Sequence, residues 1–211
     1  MDIHSMLAFF HKGGLFMYPI LFVFLIGMGI AVERWLQLNR IRSLNRKMWN
    51  TFYPMLAKGE FDKVKEIIKK DKSTISQMLG MGLERQNELR RREDVEIAME
   101  ESMMEIIPRL EKRTPYVALL SNIATLLGLL GTIMGLIEAF TAVANVNPAE
   151  KADLLSASIS VAMNTTAFGL MSAIPLLLCH AKLMSTTGEI IDSLEMASVK
   201  ALNSISSSNR N

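Results

Sequence analysis

Tyr116 to Val143 reads YVALLSNIATLLGLLGTIMGLIEAFTAV, and Leu154 to Met184 reads LLSASISVAMNTTAFGLMSAIPLLLCHAKLM. In the first stretch Ser121, Thr125, Gly128, Thr132, Gly135 and Ala139 recur at alternating steps of four and three, which places them in one stripe along a helix. Ser158, Ala162, Thr165 or Thr166, Gly169, and Ser172 or Ala173 do the same in the second. Lipid gives no reason to thin out side chains on one face, whereas close helix contact or a narrow polar path does. The stripes are expected to face protein or water.

Charges avoid one further window. Leu15 to Val32, roughly 18 residues, carries none and falls just short of a hydrocarbon core of ~30 Å at ~1.5 Å per residue. An uncleaved signal sequence is the alternative to a membrane anchor here, and the flanking residues disfavour it. Lys12 is the only positive charge close upstream, and Glu33 and Arg34 stand where small residues would precede a cleavage site. The composition agrees with three membrane spans plus a charged portion: hydrophobic residues make up 50% of the chain and charged ones 21%, very unevenly placed.

The distribution of Lys and Arg sets an orientation. Eighteen of the 23 basic residues lie between Glu33 and Thr114, with Arg34, Arg40, Arg42, Arg46 and Lys47 directly behind the first span. By the positive-inside rule that segment is cytoplasmic. Three spans then leave the N-terminus outside, Asn145 to Asp153 as a short external hairpin, and the C-terminus inside. The net charge of +2 gives no argument for a nucleic-acid partner.

The cytoplasmic segment reads as helical. Phe61, Val64, Ile67 and Ile68 form one apolar face within Gly59 to Lys70; Val95, Met99, Met103, Ile106 and Leu110 form another from Glu93 onward. Arg90, Arg91 and Arg92 ahead of Glu93 and Asp94 read as a solvated helix junction, with a docking surface as the alternative. Pro108 and Pro115 predict kinks or short breaks before the second span. Ser204 to Asn211 is of low complexity and is expected to be disordered.

Nothing in the chain points to catalysis, a cofactor or a metal. Cys179 stands alone beside His180, and neighbouring helical residues diverge by about 100°, so packing is the reading for both. His4 and His11 lie in the external N-terminal segment. No nucleophile with a base and no phosphate loop is present in the sequence, and an enzyme is not expected.

Depth connects the two stripes. If the hairpin begins near Val143 and ends near Leu155, Thr132 and Thr166 both lie about 16 Å into the bilayer. The hydroxyls of Thr132, Thr165 and Thr166 and the amide of Asn164 then suggest a polar constriction by their joint placement, although any one hydroxyl taken alone is better explained by a bond to its preceding turn or to a neighbouring helix. Thr132 also sits within Gly131-Thr-Ile-Met-Gly135, a spacing that permits close helix approach. No acid occurs in the third span, and Glu138 in the second is near its external end. A cation crossing a membrane needs an ionisable or strongly coordinating group at depth. Either the chain conducts nothing, or a partner brings the carboxylate.

The segment Ala124-Thr-Leu-Leu-Gly-Leu-Leu-Gly-Thr-Ile-Met-Gly-Leu136, with Ile159-Ser-Val-Ala-Met-Asn-Thr-Thr-Ala-Phe-Gly-Leu170 and Ala173-Ile-Pro175, resembles the two signature spans of the MotA/TolQ/ExbB family. Gly13-Gly14-Leu-Phe-Met-Tyr-Pro19 and the pair Glu33-Arg34 resemble its ExbB branch, and three spans with the large cytoplasmic segment after the first resemble the TolQ/ExbB arrangement. The resemblance implies a bacterial inner-membrane complex of about five copies around two copies of an ExbD- or TolR-like partner, whose single span brings an ion-carrying Asp. It also implies that ion flow does work at the cell envelope, such as TonB-dependent transport, with a TonB- or TolA-like protein as a further partner. Thr132 and Thr166 correspond to the family's pore-facing threonines. Many members carry a Glu where this chain has Val161, which argues against a proton relay by this subunit alone.

The expected architecture is an all-α membrane protein assembling as a homo-oligomeric, pentameric ring. Its segments are an external N-terminal piece (1–14), a first span (15–33), a helical cytoplasmic domain (34–114), a second span (115–144), a periplasmic hairpin (145–153), a third span (154–184), and a cytoplasmic C-terminal helix and tail (185–211). The expected ion path comprises Thr132, Thr166, Asn164 and Thr165. The packing stripe comprises Ser121, Thr125, Gly128, Gly131, Gly135, Ala162 and Gly169. The competing expectation is a membrane scaffold whose small residues only pack helices.

Overall fold

The computed structural model describes residues 14–89, 92–144 and 146–208. The segment ahead of Gly14, with His4, His11 and Lys12, lies outside the described residues, as do Arg90, Arg91, Asn145 and the last three positions. All regular structure among the described residues is helical: α1 (Met17–Ala57), α2 (Phe61–Ile68), α3 (Thr74–Leu89), α4 (Arg92–Glu111), α5 (Thr114–Ala144) and α6 (Pro148–Ser208). Three stretches of helix are long and apolar enough to cross a membrane, within Met17–Ala57, Arg92–Ala144 and Pro148–Ser207.

The chain forms two compact units, one of Met1–Glu33 with Arg113–Lys182 and one of Arg34–Lys112 with Leu183–Asn211. The first holds the apolar part of each long stretch. Its buried cluster is Ile20 from α1, Ala124 from α5 and Ala173 from α6, with Val23, Leu127 and Phe168 packed against it. Large apolar side chains remain on its outside, among them Leu126 (62% exposed), Phe140 (63%), Met163 (64%) and Leu178 (67%). An outward shell of this kind needs lipid or another protein against it.

The second unit has a core of its own. The face read from sequence on α4 is buried as expected: Val95, Met99, Met103, Ile106 and Leu110 all point inward, and on α2 Val64 is fully buried. The C-terminal part of α6 joins this core through Leu194, Ala197 and Ala201, and the Ser198 hydroxyl donates to the Met99 sulfur at 3.3 Å. Sequence reading gave that segment no partner. Buried Asn45 on α1 ties in α3: its Nδ2 donates to Thr74 Oγ1 at 2.7 Å and its Oδ1 accepts from the Ile75 N–H at 3.3 Å. The carboxylate of Asp71 accepts from the hydroxyls of Ser73 and Ser76 and from the Ser73 N–H, organising the start of the same helix.

Local signals explain where helices stop. After α1, Gly59 adopts φ 74° and the Glu60 N–H returns to the Met55 carbonyl at 3.0 Å, a left-handed cap that glycine makes without steric cost. After α4 the same conformation falls on Arg113 (φ 66°). The expected break before the second span is thus at Lys112 and Arg113, between the two prolines. Pro108 lies inside α4, and Pro115 stands in the first turn of α5, where its missing N–H costs nothing.

The sequence expectation differs from the structure at two helix ends. The helix α6 begins at Pro148, inside the segment assigned to the hairpin, because Asn147-Pro148 is a good helix start: the Glu150 N–H bonds the Asn147 carbonyl at 3.0 Å. Its other end runs to Ser208, so Ser204 to Ser208 is helical, with Ile205 buried in the second unit. A serine-rich composition discouraged a helical reading that tertiary burial of Ala201, Leu202 and Ile205 overrides.

Candidate functional site

The helices α5 and α6 run antiparallel within the first unit, in contact over most of their apolar length. Ser121 Oγ donates to the Ala173 carbonyl at 2.8 Å. One or two turns further on, a Cβ placed on Gly169 would lie 2.8 Å from the Ala124 carbonyl oxygen and 3.0 Å from the Gly128 Cα. Next come Thr132 with Thr166 and, last, Gly135 against Ala162. At Gly169 any side chain meets main chain that cannot rotate away, and at Gly128 an added Cβ would lie 3.2 Å from the Gly169 Cα, tighter than ordinary contact, so the close backbone approach rests on glycine chiefly at Gly169.

Much of the predicted stripe is therefore consumed by packing within one chain. Ser121, Gly128, Gly131, Ala162 and Gly169 are buried, and Gly135 is half-buried against Ala162. Thr125 lies outside this contact: it is exposed, and its hydroxyl returns to the Ser121 carbonyl at 3.2 Å. Ala124 and Gly131 take the inward positions instead, because the contact line sits to one side of the stripe drawn through the hydroxyls.

The equal depth inferred for Thr132 and Thr166 is reproduced by a direct contact of their hydroxyls. Thr132 Oγ1 also lies 3.1 Å, and Thr166 Oγ1 3.0 Å, from the Gly128 carbonyl oxygen, to which each can donate. Three oxygens of two helices thus share two hydroxyl protons. Both threonines are half-buried, so the cluster lies at the edge of the contact rather than inside it. Such a group can donate to a carboxylate or supply lone pairs to a cation.

The other two expected path residues do not join it. Thr165 is 2% exposed and its hydroxyl donates to the Val161 carbonyl at 3.2 Å; its methyl packs against Gly131. Asn164 stands two positions before Thr166, which on a helix turns it about 160° away. Consecutive polar residues on a helix share a depth but not a direction, and the sequence grouped them by depth.

Arg34 was missed as a structural centre. It is 2% exposed, with one guanidinium nitrogen donating to Gln37 Oε1 at 2.7 Å and another to the Leu110 carbonyl in the last turn of α4. In the first unit, neighbouring Glu33 receives Arg113 on both carboxylate oxygens at 2.8 and 3.0 Å. A charged pair at the end of an apolar span was the available signal. Cys179 and His180 are both partly buried, and among the described residues no group of three or more His, Cys, Asp or Glu is placed to hold a metal.

The profile of the MotA/TolQ/ExbB proton channel family matches residues 70–196, more than half of the chain and including the whole α5–α6 contact. The chain belongs to that family. Among curated members, the Tol-Pal system protein TolQ of Haemophilus influenzae is 33% identical over 86 residues, covering 41% of this chain and 37% of that protein. The biopolymer transport protein exbB1 of Vibrio cholerae is 47% identical over 57 residues, covering 27% of this chain and 25% of the relative. The matches thus span between a quarter and two fifths of those relatives. A solved structure of C. jejuni MotAB shares the fold with a TM-score of 0.61 at 15% identity, over 92% of this chain and 78% of that one. With three helices apolar enough to cross a bilayer, the chain is a membrane member of the family.

Proposed function

We propose that this chain is the non-enzymatic, ion-conducting subunit of a bacterial inner-membrane complex that turns proton or sodium motive force into work at the cell envelope, such as TonB-dependent transport. About five copies surround an ExbD- or TolR-like partner with one span, and a TonB- or TolA-like protein receives the work. The N-terminus is periplasmic and the C-terminus cytoplasmic, on the distribution of Lys and Arg. The observation that carries the reading is the Thr132–Thr166 hydroxyl pair over the Gly128 carbonyl, set in helices that carry no carboxylate near it.

The chemistry follows from that combination. Hydroxyls donate to a carboxylate and accept from water or a cation, but they do not themselves take up a proton at neutral pH. A partner Asp reaching Thr132 and Thr166 supplies the titrating group, and Val161 leaves this chain with no carboxyl of its own there. Thr165 and Asn164 have no ligand role in this reading, since one is packed inward and the other points away from the pair.

Burial of Ser121, Gly128, Gly131, Ala162 and Gly169 between α5 and α6 favours a second reading, a scaffold that conducts no ion and uses its small residues only to pack. The double variant Thr132→Ala/Thr166→Ala separates the two. In cells that depend on this chain for envelope work, the conducting subunit loses function while native mass spectrometry shows the complex intact; retained function establishes the scaffold.

A further inference from the structure

Within the second unit, two helices present outward faces of opposite charge. Of the five basic residues from Arg34 to Ala57 of α1, Arg34 is buried and Arg42 pairs with Glu189 at 2.8 Å, which leaves Arg40, Arg46 and Lys47 exposed beside no acid of that segment, while α4 carries seven acids against two arginines. The buried side of α1 is marked by Arg34, Leu38, Asn45 and Phe52. On the far side stand Leu36, Arg40 and Lys47, with Leu44 at its edge about a quarter turn from the buried line, all exposed. The buried side of α4 is marked by Val95, Met99 and Ile106; on the far side stand Ile97, Glu101 and Met104, with Glu105 at its edge about a quarter turn from the buried line, all exposed. Arg40, Lys47 and Glu101 make no ion pair among the described residues, and Glu105 makes only a long one of 3.7 Å to Arg109.

These faces each point away from the same core, so they do not meet within one chain. We propose that they meet between chains: the α4 face of one copy docks on the α1 face of the next, forming the side-to-side seam of the ring. Two different surfaces joined head to tail generate a closed ring when the rotation closes, which a self-complementary patch does not.

The register can be derived. Arg34 bonds the Leu110 carbonyl, which sets those positions at one level to within about a helical turn, the reach of the side chain, and α1 and α4 run antiparallel from there at the same rise per residue. Rotation about an axis along the helices preserves level between copies. Arg40 then lies level with Met104, one residue from the level of Glu105 and about one turn from that of Glu101, and Leu44 falls midway between Ile97 and Met104. Apolar residues interlock and each cation sits between acids, as in a two-helix seam flanked by charges.

The inference rests on the ring reading above but adds a surface to it, and one set of experiments separates their failures. In a Cys179→Ser background of the full chain, Leu44→Cys with Glu101→Cys places two thiols at one level. Leu36→Cys with Ile97→Cys offsets them by about 16 Å. Mild oxidation in native membranes is expected to give a ladder of linked copies for the first pair and monomer for the second. Reversal of one face (Arg40→Glu/Lys47→Glu) or of the other (Glu101→Lys/Glu105→Lys) is expected to lose the assembled species in native mass spectrometry, and combining both reversals to restore it. Assemblies that form without the ladder and without rescue would overturn the seam and leave the ring standing, as would equal linking of both pairs. Unaltered protein that runs as single copies in mild detergent would overturn both.

Discussion

Thr132 and Thr166, 34 positions apart, share the carbonyl of Gly128 as acceptor while touching each other. Removing either hydroxyl leaves the other a partner on the same carbonyl, so the fold tolerates the loss. The cluster keeps one hydroxyl proton instead of two and can no longer hold its own bond and donate outward together. Thr166→Val is expected to abolish envelope work with the complex still assembled and thermal stability within about 1 kcal/mol of the parent. Unchanged transport by the variant would remove Thr166 from the path.

Backbone contact at Gly169 makes that position intolerant. A Cβ there would press on the Ala124 carbonyl and on Gly128, so Gly169→Ala must part α5 from α6, at a cost of ~1–3 kcal/mol. Gly188, also on α6, has nothing within 4 Å of its added Cβ. Gly188→Ala is expected to stabilise by up to about 1 kcal/mol through helix propensity alone. Thermal unfolding in detergent distinguishes them, and equal effects would contradict the packing described.

Arg34 and Glu33 are adjacent and unequal. Arg34→Ala leaves the Leu110 carbonyl without its charged donor inside the second unit and is expected to cost about 3 kcal/mol. Arg34→Lys recovers it only in part, because an ammonium cannot bond Gln37 and the carbonyl in the same fork. Glu33→Gln breaks a half-exposed pair and is expected to cost ~0–1 kcal/mol. Proteolysis of the α4 end, read by limited digestion, should rise for the first variant and stay unchanged for the last.

Burial pushes the Asp71 carboxyl up, but donation from Ser73 and Ser76 hydroxyls and from the Ser73 and Lys72 N–H groups outweighs it, and the net direction is below the ordinary 3.8. A depressed folded value means that the ionised carboxylate stabilises the fold above the unfolded value, near ~3.9, and that this contribution disappears as pH falls through the folded value. Asp71→Asn should therefore melt lower than the parent at neutral pH, with the gap closing on acidification below about pH 4. A gap that stays constant with pH would show that the carboxylate's charge is not what Ser73 and Ser76 hold.

The sequence by itself determined the helical class, the three apolar stretches, the inward faces of α2 and α4 and the common depth of Thr132 and Thr166. Each of these follows from periodicity or from counting along a rigid rise, both of which are properties of the chain alone. Only the tertiary structure decided direction and partner. Which side of the small-residue stripe makes contact depends on where α6 lies, so Thr125 is exposed while Gly131 is buried. Asn164 and Thr166 share a level but diverge around the helix axis, and the third oxygen of their expected cluster proved to be a backbone carbonyl, which no side-chain pattern records. Arg34 reads as one more charge behind a span until the end of α4 is brought against it, because burial is set by neighbours distant in sequence. The serine-rich end of α6 is helical for the same reason: its few apolar residues meet a core that the local sequence does not contain.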